Sequence, residues 1–292
     1  NRDRIMRVLN FTVPYYCEGI KVSMFLRVKG EFSASIIQTL RHTQGGILKN
    51  GMPSRTIDKV KKGDIITVNL PEKSSEPLLF DFPLDIIYED DDILVLNKPA
   101  GISMHPTYNH PNGTLANAAA AYLKKRGKGE ACIRAIGRLD KGTSGVVVLA
   151  LNSYAASRLN NNLKKEYLAV IRGCLSGFGV IDAPIFRPFP DKTIRAVGHG
   201  DESVTHWQAQ KQFDSFTLVR VFPQTGRTHQ IRVHFAHIGM PLIGDEMYGG
   251  PQSALIKRPA LHCERVSLIH NVTGENMIFK APVPEDFRKL LK

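Results

Sequence analysis

Apolar and polar positions alternate over the first residues of the chain (Met6, Val8, Phe11, Val13), the two-residue period of an edge strand, and Pro14 closes it. From Lys21 the period lengthens to that of a helix, with Val22, Phe25 and Leu26 at helical spacing. Ser33 and Ser35 stand where N-caps belong, ahead of a second helix carrying Ile36, Ile37 and Leu40. The stretch ILKNGMPS then predicts a hairpin turning at Asn50-Gly51, and VKKGDIITVNL predicts a further strand. Proline, serine and charge dominate residues 71–83. The pattern divides the chain into a small unit at 1–75, a linker at 76–83 and a larger unit at 84–292.

The larger unit opens with two predicted strands, 86–88 and 93–97, separated by Asp90, Asp91 and Asp92. A tight turn explains that acidic run better than a metal-binding cluster. Thr114 predicts the cap of an alanine-rich helix, LANAAAAYLKKR, which Gly127 ends. A lead-in at 131–136 and a dense β-branched run at 146–151 read as strands, the second fully buried. Ser153 predicts a helix through YAASRLNNNLKK that runs into the strand EYLAVIRG. Residues 176–206 read as loop-rich; Thr205 begins a strand, and FTLVRVF alternates as another. TGRTHQIRVHFAHIGMP predicts a helix capped by Thr228, with Ile231, Phe235 and Ile238 on one face and Gly239 and Pro241 as the stop. The tail reads as a hairpin followed by a short helix with Phe287, Leu290 and Leu291.

Composition changes this picture in one respect. At 42% hydrophobic and 23% charged residues the chain is ordinary, but its net charge is +12. Residues 1–80 hold 13 Lys and Arg against 7 Asp and Glu, so the small unit is the more basic per residue. Such an excess suits a polyanion, nucleic acid ahead of an anionic membrane surface. No apolar run approaches the roughly 20 residues that span a bilayer. Cys17, Cys132, Cys174 and Cys263 are far apart and form no C-x-x-C pair, which fits the reducing cytoplasm and suggests neither a zinc knuckle nor a disulfide framework.

Candidate chemistry gathers at 137–145, GRLDKGTSG, where Asp140 stands at the mouth of the predicted buried strand between Arg138 and Lys141. Thr143 and Ser144 follow between Gly142 and Gly145, and no second acid lies within nine residues on either side. The residues alone allow two readings: a charged turn tying off the strand end, or a working carboxylate. In the second basic stretch, Arg227 falls at the helix mouth, where a guanidinium can hold a carboxylate or phosphate through two bonds. His234 and His237, three apart, have the spacing of two zinc ligands. No H-E-x-x-H glutamate accompanies them, and Asp245 and Glu246 lie beyond a turn, so they are read as hydrogen-bonding or RNA-contacting residues.

GRLDKGTSG resembles the active-site signature of the RluA-type pseudouridine synthases, the large-subunit ribosomal RNA type, and TGRTHQIR resembles a second specific stretch of that family. Lys98-Pro99-Ala100-Gly101 with His105-Pro106, and Lys165 with Tyr167 in KEYLAV, resemble its supporting motifs; the first is assigned structural work. Residues 20–70 resemble the αL (S4-like) RNA-binding motif, though without the Arg-Leu-Asp opening usual for its first helix. Two departures stand out. Gly137 occupies a position that is usually histidine, and the interval from Gly145 to Lys165 is short, as if a loop near 158–163 were deleted.

The resemblance implies an α+β pseudouridine synthase fold with a mixed, mostly antiparallel central sheet and flanking helices. It implies isomerisation of uridine to pseudouridine in structured RNA, ribosomal ahead of transfer RNA, by a monomeric cytoplasmic protein away from membranes. Asp140 would be the catalytic aspartate, Tyr167 would pack on the extruded uracil, Arg227 would pair with Asp140, and Arg138 would fill the vacated stack. Lys141, Lys165, Arg232 and His229 would complete the RNA contacts. The reaction moves no electrons and adds no water, so neither cofactor nor metal is expected. Two rival classes remain: a non-catalytic RNA-binding protein, which accounts for the charge, and a metal-dependent RNA hydrolase, which accounts for His234, His237 and Asp245.

Overall fold

In the computed structural model, which describes residues 4–72, 77–108, 110–128, 132–159 and 162–292, the N-terminal alternation forms strand β1 (Arg4–Thr12). Two short helices follow, α1 (Val22–Val28) and α2 (Ala34–His42), and the Ser33 hydroxyl caps the second by accepting from the Ile36 amide. Strands β2 (Ile47–Lys49) and β3 (Met52–Pro53) make the expected hairpin, with Asn50 and Gly51 both at left-handed φ, 51° and 80°. Strand β4 (Ile65–Glu72) completes a sheet of order β1-β4-β2-β3. Phe25, Leu26, Leu40, Ile66 and Val68 fill the core beneath it.

The larger unit begins with β5 (Ile86–Glu89) and β6 (Ile93–Lys98), and the acidic run between them is a turn. Asp90 Oδ1 accepts from the amides of Asp92 and Ile93, both at 2.7 Å. Helix α3 (Leu115–Lys125) starts at a capping box in which Thr114 and Asn117 each accept from the other's backbone amide, and Gly127 at φ 74° follows its end. Strand β7 (Arg134–Ile136) leads towards β8 (Ser144–Ala150), which is buried at every position.

Helix α4 (Ser153–Leu159) is shorter than its sequence pattern suggests, and β9 (Lys164–Arg172) starts correspondingly early. Lys164 and Lys165 are drawn into the sheet by pairing with Ser267 and Val266, so tertiary pairing overrides local helix propensity. Residues 160 and 161, inside the expected deletion, lie outside the described residues. The stretch read as loop-rich carries β10 (Phe178–Asp182) and a short pair, β11 (Ile185–Phe186) with β12 (Ala196–Val197). Then come β13 (Val204–Gln212), β14 (Phe216–Pro223), α5 (Gln230–His237), β15 (Leu261–Ile269), β16 (Asn276–Lys280) and α6 (Glu285–Leu290).

Ten of the described strands form one sheet, ordered β10-β13-β14-β9-β15-β8-β6-β5, with β16 on β15 and β7 on β8. All its pairings are antiparallel except β15 with β8, which meet in parallel at His262–Ser144 and Cys263–Gly145. That close meeting requires glycine. Gly145 has φ 117°, and a Cβ there would lie 2.1 Å from the Cys263 carbonyl oxygen.

The two units are docked. Arg7 on β1 donates to Asp92 at 2.9 and 3.2 Å, Tyr154 of α4 stacks obliquely on Phe32 at 4.6 Å, and Arg158 pairs with Glu31. The linker is held as well: Asn117 donates to the Leu78 carbonyl at 2.7 Å and Lys125 pairs with Asp81 at 2.8 Å. Among the described residues, no helix is long and apolar enough to cross a membrane.

Candidate active site

The loop carrying Asp140 folds over the start of β8 and is held from below by Lys98, the fully buried last residue of β6. Its ammonium donates to the carbonyls of Pro99 (2.9 Å), Lys141 (3.3 Å) and Thr143 (2.7 Å), so three acceptors meet its three protons just past Asp140. The pKa of Lys98 is lowered to about 7, chiefly by burial and also by the charge of Arg258, with the charge of Asp140 opposing the shift. The Lys-Pro stretch therefore does structural work, clamping the loop from the neighbouring strand. Gly137 is explained by the same loop. Its φ is 69°, and a Cβ would sit 2.8 Å from the Lys165 ammonium, which itself reaches the Arg138 carbonyl at 3.3 Å. The left-handed φ is what favours glycine at 137, and any side chain there would also have to displace the end of Lys165.

Helix α5 brings the second half of the site. Arg232, one turn into the helix and 8% exposed, points its Nη1 at Asp140 Oδ2 from 3.6 Å. Asp245 behind it is 1% exposed and accepts two bonds from the guanidinium, at 2.6 and 2.7 Å. Burial works against the charge on Arg232, but the bonds and charge of Asp245, with help from Asp140, outweigh it and raise its pKa. The expected pairing of Arg227 with Asp140 is therefore corrected. Arg227 lies in the loop ahead of the helix, 43% exposed, with Nη1 3.6 Å from Asp201 and Nε donating to the Glu202 carbonyl at 3.1 Å. The helix also starts later than the Thr228 cap implied. His229 is the N-cap, at φ 58° with no side-chain capping bond, and the first helical residue is Gln230.

Histidines and Asp245 do not assemble into a metal set. His234 is buried with Nδ1 2.8 Å from the Thr205 hydroxyl and Nε2 3.0 Å from the Ala183 carbonyl, and Asp245 is committed to Arg232. The one group of three among the described residues that could hold an ion is Asp90, Asp92 and His270. There Asp92 is bonded by Arg7 and Asn152 and Asp90 by two amides.

Of the remaining expected residues, Tyr167 on β9 is 6% exposed, its phenol pushed well up, first by burial and further by the charge of nearby Asp140. His229 Nε2 lies 3.9 Å from Asp140 Oδ2 and only 10% of its side chain is exposed. Arg138 is exposed, its guanidinium donating to the Thr228 hydroxyl at 3.3 Å, and Lys141 is exposed. The structure thus gathers Asp140, Arg232, His229 and Tyr167 and leaves Arg227 outside. Sequence reasoning missed Tyr248, whose hydroxyl is 2.8 Å from His229 Nδ1, and the true role of Asp245. Both lie in GDEMYGG, a stretch without periodicity.

Residues 92–237 match the RNA pseudouridylate synthase family. The chain belongs to that family. A Bacillus subtilis (strain 168) protein named uncharacterized RNA pseudouridine synthase YjbO is 39% identical over 89% of this chain and 94% of its own length. Ribosomal large subunit pseudouridine synthase D of Xanthomonas campestris pv. campestris is 38% identical over 85% of this chain and 80% of that one. Among solved structures, human RNA pseudouridylate synthase domain containing 1 superposes with a TM-score of 0.55 at 25% identity, covering 69% of this chain and 84% of that one. The protein is thus an isomerase that converts uridine in RNA to pseudouridine, on the mixed, mostly antiparallel α+β fold of the family. The readings as a non-catalytic RNA-binding protein or a metal-dependent hydrolase fall away.

Proposed function

We propose that Asp140 carries the isomerisation and that the substrate is structured ribosomal RNA. One observation carries the first part: a single carboxylate, 15% exposed at the mouth of β8, has Arg232 and His229 both facing its Oδ2. Both side chains approach the same oxygen, Oδ2, and in this reading the other oxygen, Oδ1, meets the nucleoside. The bond from ribose to the uracil nitrogen breaks, the base turns, and ribose rejoins at carbon 5. Carbon 5 gives up its proton and the freed nitrogen takes one, so atoms balance without water or redox. Arg138, exposed beside the site, enters the stack as the uridine leaves it; Tyr167 lies against the uracil; Lys141 meets phosphate. Lys165 supports Arg138 through its backbone rather than touching RNA. Arg227, off the carboxylate, is left to contact the RNA.

The small unit is the RNA-binding module in this reading. Its basic excess and a cleft lined by Arg41, Thr43, Ser54, Arg55 and Thr56 suit phosphate oxygens. The relatives named for the large ribosomal subunit support a ribosomal target, and a monomer working in the cytoplasm needs no membrane or cofactor. The test is tritium release from carbon 5 of labelled uridine in large-subunit ribosomal RNA and in transfer RNA. Release from ribosomal RNA is expected; release from transfer RNA alone contradicts the assignment.

A further inference from the structure

His229 is held in a conformation that its residue type disfavours. It has φ 58° and ψ 16°, one of three described non-glycine residues at positive φ, and it makes no capping bond that would compensate. A glycine would adopt this backbone freely. The imidazole therefore stays for what it touches. Its Nδ1 is 2.8 Å from the Tyr248 hydroxyl, and the two rings meet edge to face at 5.7 Å. The Arg195 amide donates to the same hydroxyl oxygen at 3.0 Å, which leaves the phenol's own proton free for Nδ1, and we assign the imidazole the tautomer that accepts it. The neutral imidazole then carries its proton on Nε2, the atom that faces Asp140 Oδ2. Tyr248 is fixed in turn: the Arg232 guanidinium lies over its ring at 4.9 Å.

We propose that His229, set by Tyr248, is a positioning residue that directs the Asp140 carboxylate. It and Arg232 converge on Oδ2, one through Nε2–H and the other through Nη1, and together they turn Oδ1 towards the substrate. The 3.9 Å approach is longer than the roughly 3 Å of an N–H···O bond, and it closes when the uridine seats. The chain Arg195 amide, Tyr248, His229, Asp140 is thus one unit running from a loop backbone to the reacting carboxylate. This inference rests on Asp140 being the working carboxylate.

His229→Gly and Tyr248→Phe test it together. Glycine relieves the left-handed backbone and removes the imidazole; phenylalanine keeps the ring under Arg232 and removes only the hydroxyl. The readouts are the single-turnover rate of tritium release at saturating protein, RNA binding by titration, and the melting temperature. His229→Gly is expected to lose about 10²-fold in rate, the size of a misplaced reacting group, with unchanged RNA affinity and an equal or higher melting temperature. Tyr248→Phe is expected to lose less, and the double variant to match His229→Gly alone, because the hydroxyl acts only through the imidazole. A normal rate in His229→Gly, losses that multiply in the double variant, or weakened RNA binding with a normal rate overturns the proposal. Should His229→Gly melt early, Tyr248→Phe decides: a normal rate there also overturns it. Asp140→Asn separates the two layers. If that variant is active, the carboxylate reading fails first; if it is inactive while both other variants are normal, only the positioning role fails.

Discussion

Lys98 shows how far a single buried charge can serve a site without touching substrate. Its ammonium donates to three carbonyls, two of them in the turn that aims Asp140. The Lys141 carbonyl also accepts from the Gly101 amide at 2.8 Å, while the bond to the Thr143 carbonyl is buried. Lys98→Met keeps the length and the apolar stem but removes all three bonds. It is expected to lower stability by about 2–4 kcal/mol and to cut turnover more than RNA binding, measured by denaturant unfolding and tritium release. Unchanged stability would mean that the carbonyls find water instead. At this scale Asp140 was legible, because GRLDKGTSG places one carboxylate between cations at a strand mouth. Its partner was not. TGRTHQIR holds two arginines five residues apart, and a cap at Thr228 would bring the first inward. The helix starts at Gln230, so Arg232 is the one that faces in.

Among elements, α5 is the least readable and the most consequential. Residues 230–235 are all buried, polar ones included, so an amphipathic reading sees only Ile231 and Phe235 and misses the polar side that builds the site. His234 ties the helix to β13 through Thr205 and to the segment after β10 through the Ala183 carbonyl. Burial lowers its pKa below the usual 6.5, although the Ala183 bond opposes the shift. His262, between Ser144 and the Ala281 carbonyl, is lowered for the same first reason. In each case the unfolded chain takes up a proton at a higher pH than the folded one. Stability is therefore complete above about 6.5 and declines as pH falls from there towards the folded-state values. The melting temperature is expected to drop between pH 7 and pH 5, and less steeply in His234→Gln. Equal slopes in the two proteins would remove His234 from this account.

On the scale of the whole molecule, period and charge suggest two units along the sequence but leave out how the two sheets meet. The acidic turn at 90–92 reads as punctuation between strands, and it is that; it is also the seat of Arg7 from the far end of the chain. An ion pair between residues 85 positions apart leaves no local signature. Likewise Tyr154 looks like a core residue of α4, yet its ring completes the core of the small unit. The consequence for function is that a basic module is held in contact with the catalytic unit rather than tethered loosely to it. If the small unit binds RNA as proposed, RNA held by one unit is presented to the other at a set distance, which would favour a structured substrate over a free strand.

All of this is arranged around one carboxylate, and Asp140→Asn tests it most directly. The amide keeps the size and most of the hydrogen bonding of the aspartate but can neither attack nor take a proton at a useful rate. Tritium release from carbon 5 of labelled uridine is measured beside a melting curve and an RNA titration. The expected result is a loss on the order of 10⁴-fold in turnover, with folding kept and RNA affinity near normal, since most affinity comes from phosphate contacts elsewhere. A folded Asp140→Asn protein that releases tritium at a near-normal rate would contradict the account.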